Sequence, residues 1–498
     1  MSNKEVNDLS IEETEAAKEI SNEAAGNAAS EKISDEAASG KQPEQRLEDA
    51  HDFTVGSIPI KLVKFMLPIL GALILQAMYS AVDLLIVGKF GSASGISGVA
   101  TGSNVMNLFT FFTANLTVGV TVLMGQYLGE RNNDRIGKLL GGAIVFFAIL
   151  SVAFSIIMFV FARPITKLMQ APPEAIEQTI TYIRICAVGF IFVVFYNFIS
   201  AIMRGLGNSK LPLLFVGIAC VVNIVGDLVL VAGFHMDVAG AAIATITAQA
   251  VSVVLSVIII KRTRLPFDFA KSDICINKEV RNFVKVGAPL GFQEILTNGT
   301  FLALCAFVNH MGLDCSSGYG VAQKVQAFVM LIPAAIMQSL ASFVAQNVGA
   351  GKEERAKKAL ITSMSIGAAI GAVIMVFIYF KGNLVASIFT NEAAYVARAA
   401  EFMKGFAPEA VLTAVMFSFM GYFNAHSKSL FVMVLGILQS LVVRLPVSYY
   451  MSTRPNASLM GVGLAAPAAT VFGILLCLGY YFVLKQEITN NGKVGKRV

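Results

Sequence analysis

Charge is scarce in this chain: Asp, Glu, Lys and Arg make up only 14% of its 498 residues. A soluble chain of that length normally carries roughly a quarter charged residues, spread over two or three domains. Tryptophan is absent, and the four histidines (His51, His235, His310 and His426) stand far apart. So sparse a set argues against a histidine-based catalytic constellation. The six cysteines (Cys186, Cys220, Cys275, Cys305, Cys315 and Cys477) show no CxxC or Cys/His spacing. Most lie inside apolar runs and read as small buried side chains, neither a disulfide framework nor a metal site. HExxH, GxSxG, DDxxD-type and Walker sequences are all missing, so neither hydrolysis nor ATP drive is indicated and no enzyme is expected. A filter-like loop repeated in the two halves is missing too, which disfavours a channel.

What the chain has instead is apolar length. Hydrophobic residues make up 56% of it, and there are 42 glycines, a residue that suits close helix approach. A hydrocarbon core of about 30 Å needs about 20 helical residues. Twelve runs meet that length: 62–87, 96–124, 138–162, 180–204, 212–234, 238–260, 284–310, 317–345, 357–380, 395–423, 429–452 and 460–484. In lipid every backbone group must be satisfied within the structure, so these runs are helices. The expected fold is all-α and integral to the membrane. Most connections are short and rich in turn residues; 261–283 is longer and basic, beginning Lys261-Arg262-Thr263-Arg264.

The expected organisation is a tail over 1–55, a first six-helix lobe over 56–260, a link over 261–283, a second lobe over 284–486 and a short tail over 487–498. The first fifty residues carry 13 acids against 5 bases and too little apolar surface to offset ordering entropy, so they read as a disordered acidic tail and not a signal peptide. Lys and Arg crowd one set of loops, among them Arg131, Arg135, Arg204, Lys210, Arg281, Lys352, Arg355, Lys428, Lys496 and Arg497. The other set holds about six: Lys89, Arg163, Lys167, Lys381, Arg398 and Arg454. The positive-inside rule then places both termini in the cytoplasm.

The two halves repeat each other. Gly125-Gln126-Tyr127-Leu128-Gly129 after the second run returns as Ala345-Gln346-Asn347-Val348-Gly349 after the eighth, and Arg135 and Leu140 return as Arg355 and Leu360. Close to the same offset relates Pro68 to Pro289, Ser209-Lys210 to Ser427-Lys428, and Gly240-x-Ala242 to Gly463-x-Ala465. Six helices is an even number, so the copies run the same way as parallel, pseudo-symmetric repeats. Two-lobed transporters of this kind place their cavity between the lobes.

Ionisable groups deep in lipid cost several kcal/mol unless paired or hydrated. Asn223 and Asp227 stand i, i+4 on one face of the fifth run. Asp83 in the first and Thr245 in the sixth fall at a similar depth. These hard oxygen donors would suit Na⁺, or a proton shared by the two acids. Each also has a plainer reading: an interfacial acid at Asp83, a back-bonded hydroxyl at Thr245, a structural pair at Asn223 and Asp227. Glu294 lies near the middle of the seventh run. Arg444, in the eleventh, falls near the repeat counterpart of Asp227 and reverses its charge; Arg444 and Lys324 are both candidate partners for Glu294. Phenylalanines and tyrosines such as Phe109, Phe112, Tyr196 and Phe423 could line an aromatic cavity, with packing the plainer role.

Over about 56–486 the chain resembles the multidrug and toxic compound extrusion (MATE) family. The resemblance rests on Tyr79-x-x-x-Asp83, Gly125-Gln126-x-x-Gly129, Arg204-Gly205-Leu206-Gly207-Asn208-Ser209-Lys210-x-Pro212, Gly240-Ala241-Ala242-x-Ala244-Thr245 and Gln346-Asn347-Val348-Gly349-Ala350-Gly351. It implies export of amphipathic, cationic organic compounds by H⁺ or Na⁺ antiport, with no other cofactor. It also implies a monomer in the cell membrane, whose partners are a small-molecule substrate and the lipid bilayer and not nucleic acid. Residue by residue it assigns Asp83, Asn223, Asp227 and Thr245 to the coupling cation, with Na⁺ as the metal they could hold. Pro68 becomes a bending point, and Tyr79 and Glu294 become cavity residues. The alternative function is a flippase for a lipid-linked sugar or cell-envelope precursor; that would call for a more basic central cavity and often for extra helices.

Overall fold

The structure is a computed structural model that describes residues 51–262 and 270–494. The acidic stretch 1–50, Thr263, Arg264, Lys496 and Arg497 lie outside the described residues. Helix dominates, with no strand among the described residues. Ten helices there are long and apolar enough to cross a membrane, and counting each of two bent pairs as one span brings the number to twelve.

The first lobe comprises α1 (Ile58–Phe90), α2 (Ala93–Gly129), α3 (Asn133–Val160), α4 (Ile176–Val188 followed by Phe190–Gly205), α5 (Lys210–Gly233) and α6 (Asp237–Arg262). The second comprises α7 (Lys278–Asn309), α8 (Leu313–Gly349), α9 (Glu353–Ala386), α10 (Ala393–Phe406 followed by Glu409–Ala425), α11 (Ser429–Thr453) and α12 (Leu459–Asn490). Polar caps mark several starts. The Asn132 side chain accepts from the Arg135 N–H to open α3, and Asn277 accepts from Glu279 N–H to open α7. Side chains such as Leu85, Ile149, Val152, Ile156, Val373 and Val376 stay exposed, which is unfavourable in water and favourable against lipid tails.

Two runs that read as single spans are broken. α4 bends by 54° at Gly189 and α10 by 47° at Ala407–Pro408. Pro408 has no N–H to continue the ladder, while a Cβ on Gly189 would collide with the Ile246 side chain of α6. Widened turns occur at Leu228–Gly233 in α5 and Leu438–Arg444 in α11, on opposite sides of the positions the repeat relates. One begins directly after Asp227 and the other ends on Arg444. Such turns often mark functional positions in helices.

The first helix of each lobe leans on the other lobe at one end. Leu62, Phe65, Met66 and Ile69 of α1 pack in the second lobe's core with Phe343, Val344 and Leu360, while Ile86 and Val87 pack in the first lobe's core. In α7, Phe283 enters the first lobe's core, and Leu304 and Val308 pack in the second's. α1 runs unbroken through Pro68, and α7 through Pro289.

Candidate cation and substrate chamber

Inside the first lobe, α1, α5 and α6 bring four polar side chains to one buried place. Asp227 is 0% exposed, Asn223 1% and Asp83 6%, with Thr245 half-buried. Asp227 faces Asp83 closely enough to share a hydrogen bond, and Asn223 and Thr245 face Asp83 as well. The Thr245 hydroxyl lies 3.5 Å from Asp83 Oδ2 and 2.9 Å from the carbonyl of Ala241, so the back-bonded reading and the site reading both describe it.

The electrostatics of this cluster are unfinished. Asp83 Oδ1, both Asp227 oxygens and both Asn223 amide atoms are buried without a hydrogen-bond partner. Two carboxylates facing each other are all acceptors; no bond forms between them until a proton or cation arrives. Leaving a buried acceptor unmet costs about 1–3 kcal/mol, and more if it is charged. No Lys or Arg forms an ion pair with Asp83 or Asp227 among the described residues. The residues therefore fit a small hard cation or a shared proton, since hard cations accept carboxylate and neutral oxygens alike. Among the described residues no group of three or more His, Cys, Asp or Glu side chains is placed to hold a metal ion.

Other side chains close the chamber. Tyr182 of α4, buried beside Asp83, accepts a hydrogen bond from Ser103 of α2 at 3.2 Å, and Tyr79 approaches it from α1. Gln249 stands one turn beyond Thr245 on α6 with its Oε1 buried and unpartnered. Neither Tyr182 nor Gln249 stood out in the sequence, because a lone tyrosine or amide in an apolar run carries no charge to explain. The i, i+4 step from Thr245 to Gln249 was the available signal.

Glu294 does not join this chamber. Its carboxylate accepts from Asn298 Nδ2 at 3.3 Å, one turn along α7, and it forms an ion pair with neither Arg444 nor Lys324. Arg444 lies against a residue the sequence reading passed over. Glu409, 3% exposed at the start of the second half of α10, has its Oε1 3.9 Å from Arg444 Nη2 and accepts the Thr470 hydroxyl at 2.8 Å. Gln439 donates to the same Thr470 at 2.9 Å, and the Arg444 guanidinium stands 5.3 Å from the Phe301 ring centre. The aromatic side chains pack chiefly on one another: Phe109 and Phe112 on Phe154, Phe147 on Phe198, Phe423 on Phe431.

A family model described as MatE matches residues 68–229 and 289–450, one copy in each lobe. The probable multidrug resistance protein YpnP of Bacillus subtilis is 28% identical over 433 residues, covering 87% of this chain and 96% of its own length. The multidrug export protein MepA of Staphylococcus saprophyticus is 23% identical over 407 residues, covering 81% and 90%. A solved outward-facing conformation of a multidrug resistance MATE family transporter shares the fold at a TM-score of 0.82, with 19% identity over 88% of this chain and 98% of that one.

Proposed function

Because the chain belongs to the MatE family of efflux transporters, we propose that it exports amphipathic organic cations across the plasma membrane in exchange for inward H⁺ or Na⁺. The observation that carries this reading is the pair Asp83 and Asp227, enclosed with unpartnered oxygens and no basic residue beside them. A cation entering from outside satisfies those oxygens and stabilises the conformation that contains them so enclosed. Cargo favours the opposite arrangement. Coupling requires that difference, since a ligand shifts a population only by its differential affinity. Pro68, on the same helix as Asp83, removes a backbone hydrogen bond and gives α1 a place to bend as the site fills. Crowding of Lys and Arg in one set of loops supports a cytoplasmic side there, and with it cytoplasmic termini.

The test is uptake of a fluorescent organic cation into inverted vesicles under separate H⁺ and Na⁺ gradients, comparing wild type with Asp227→Asn. The expected result is a response to one gradient that the variant loses. A wild type indifferent to both gradients would overturn the antiport reading. Unchanged coupling in the variant would remove the first-lobe site from it.

A further inference from the structure

The repeated Gln-x-x-Gly loops are the sequence feature for which cation coupling finds no use. In the structure each copy reaches across to the other lobe. Gln126, at the end of α2, donates from Nε2 to the Ala425 carbonyl that ends α10, at 2.8 Å. Gln346, at the end of α8, donates from Nε2 to the Gly205 carbonyl that ends α4, at 3.1 Å. The two donors, Gln126 and Gln346, occupy the same place in the repeat, and so do the two acceptors, Gly205 and Ala425, so the bonds are reciprocal. Between them the helices touch backbone to backbone. A Cβ on Gly129 would collide with the Gln346 carbonyl oxygen, and one on Gly349 with the Gln126 carbonyl oxygen. These glycines are what allow the approach.

Each loop also grips the entry of the other lobe's first helix. Arg135 donates from Nε to Glu279 at the start of α7 at 3.2 Å, and from Nη2 to the Tyr127 hydroxyl at 2.6 Å. That hydroxyl in turn donates to Glu279 at 2.5 Å, and Asn282 completes the cluster at 2.8 Å. In the other copy, Arg355 donates to the carbonyls of Phe53 and Val55 just before α1, at 2.8 and 2.9 Å. Asn347, the counterpart of Tyr127, donates to Phe53 at 3.2 Å, and the Gln346 Oε1 accepts the Phe53 N–H at 3.0 Å. Phe53 then stacks on Phe343 of the second lobe, and Phe283 on Phe147 of the first.

We infer that the two Gln-x-x-Gly loops form a reciprocal double latch that holds the cytoplasmic face shut, and that both must release before cargo enters from the cytoplasm. The proposal rests on the orientation and alternating access given under Proposed function. The halves differ in chemistry. The Arg135 latch closes on the Glu279 carboxylate, and the Arg355 latch includes the backbone carbonyls of Phe53 and Val55. The latch also reaches the cation chamber along one element, for α1 carries Leu62, Phe65 and Met66 at the latch and Asp83 in the chamber.

Spin labels at Asn133→Cys and Glu354→Cys, one on each lobe's exposed end, report the separation by pulsed electron spin resonance. The background has its native cysteines replaced and still transports the dye. One short distance is expected for the parent. Gln126→Ala and Gln346→Ala should each raise the fraction of a longer distance roughly threefold to tenfold, the equivalent of one hydrogen bond. The double variant should raise it by about the product. An unchanged distance in the double variant, with a monodisperse protein, overturns the latch. Should the double variant fail to fold, Gly125→Cys with Ala345→Cys replaces it, because a Cβ on Gly125 lies 3.0 Å from that of Ala345. Oxidation should then stop dye transport and reduction restore it; wild-type transport by the oxidised protein overturns the proposal. The distance readout needs no ion gradient, so a failed antiport reading and a failed latch are separately visible. An impermeant maleimide that labels Asn133→Cys only in right-side-out vesicles would overturn the assignment to the cytoplasmic face.

Discussion

The two lobes descend from one pattern yet keep opposite electrostatic accounts at corresponding places. In the first, Asp83 and Asp227 share a chamber with Asn223 and Thr245, and five of their polar atoms lack a partner. In the second, the position near the counterpart of Asp227 is Arg444, and Glu409 stands against it with Thr470 and Gln439 filling in. The first lobe therefore encloses two carboxyl groups with unpartnered oxygens and no basic residue paired to them among the described residues. The other sets a base 3.9 Å from its acid, although Glu409 Oε2 and Arg444 Nε are still without a hydrogen-bond partner. Repeat symmetry in the backbone does not carry over to the buried polar side chains, and the proposed coupling site therefore has a counterpart of different chemistry in the second lobe.

Asp227→Asn is the hardest blow to that contrast. It should reduce gradient-driven dye transport by about a hundredfold or more, measured as initial uptake rate in inverted vesicles, and Asp83→Asn should match it. Arg444→Met attacks the other side by leaving Glu409 buried opposite nothing. Removing one partner of a buried pair costs about 3–5 kcal/mol, and the 3.9 Å separation here places the expected loss near 3 kcal/mol. That loss reads as a lower thermal midpoint in detergent. Adding Glu409→Gln to it should recover most of the stability, whereas no second change in that lobe should rescue Asp227→Asn.

Thr245→Val removes only the hydroxyl that lies 3.5 Å from Asp83, and the expected cost is roughly threefold in apparent affinity for the coupling ion. Glu294→Gln sharpens the boundary of the comparison. With its carboxylate engaged by Asn298 and no basic partner, Glu294 should tolerate the change within about twofold in transport rate. A larger loss there would bring α7 into the coupling machinery.

Twelve spans, the two-lobe repeat and the first-lobe residues were legible because each leaves a strong local mark. An apolar run of 20 residues has few alternatives in lipid, and a carboxylate inside one stands out. Glu409 was missed for the complementary reason. Arg398, Glu401 and Lys404 precede it in the same run, so it reads as one more charge near a helix end. The helix break at Ala407–Pro408 carries it instead into the second lobe's interior. Pro408-Glu409 within an otherwise apolar stretch was the available clue. Arg444 was visible as a reversed charge, but its partner was not, because pairing across helices depends on rotation and bend angles that one helix does not encode.

By itself the sequence determined the membrane environment, the helix count, the parallel repeat and the presence of acids inside apolar runs, all of which follow from local composition and from periodicity. Tertiary structure decided which acids face each other, which base answers Glu409, and that each Gln-x-x-Gly loop closes on the opposite lobe. Those outcomes come from contacts between segments more than a hundred residues apart, where two helices must agree on depth, rotation and distance at once.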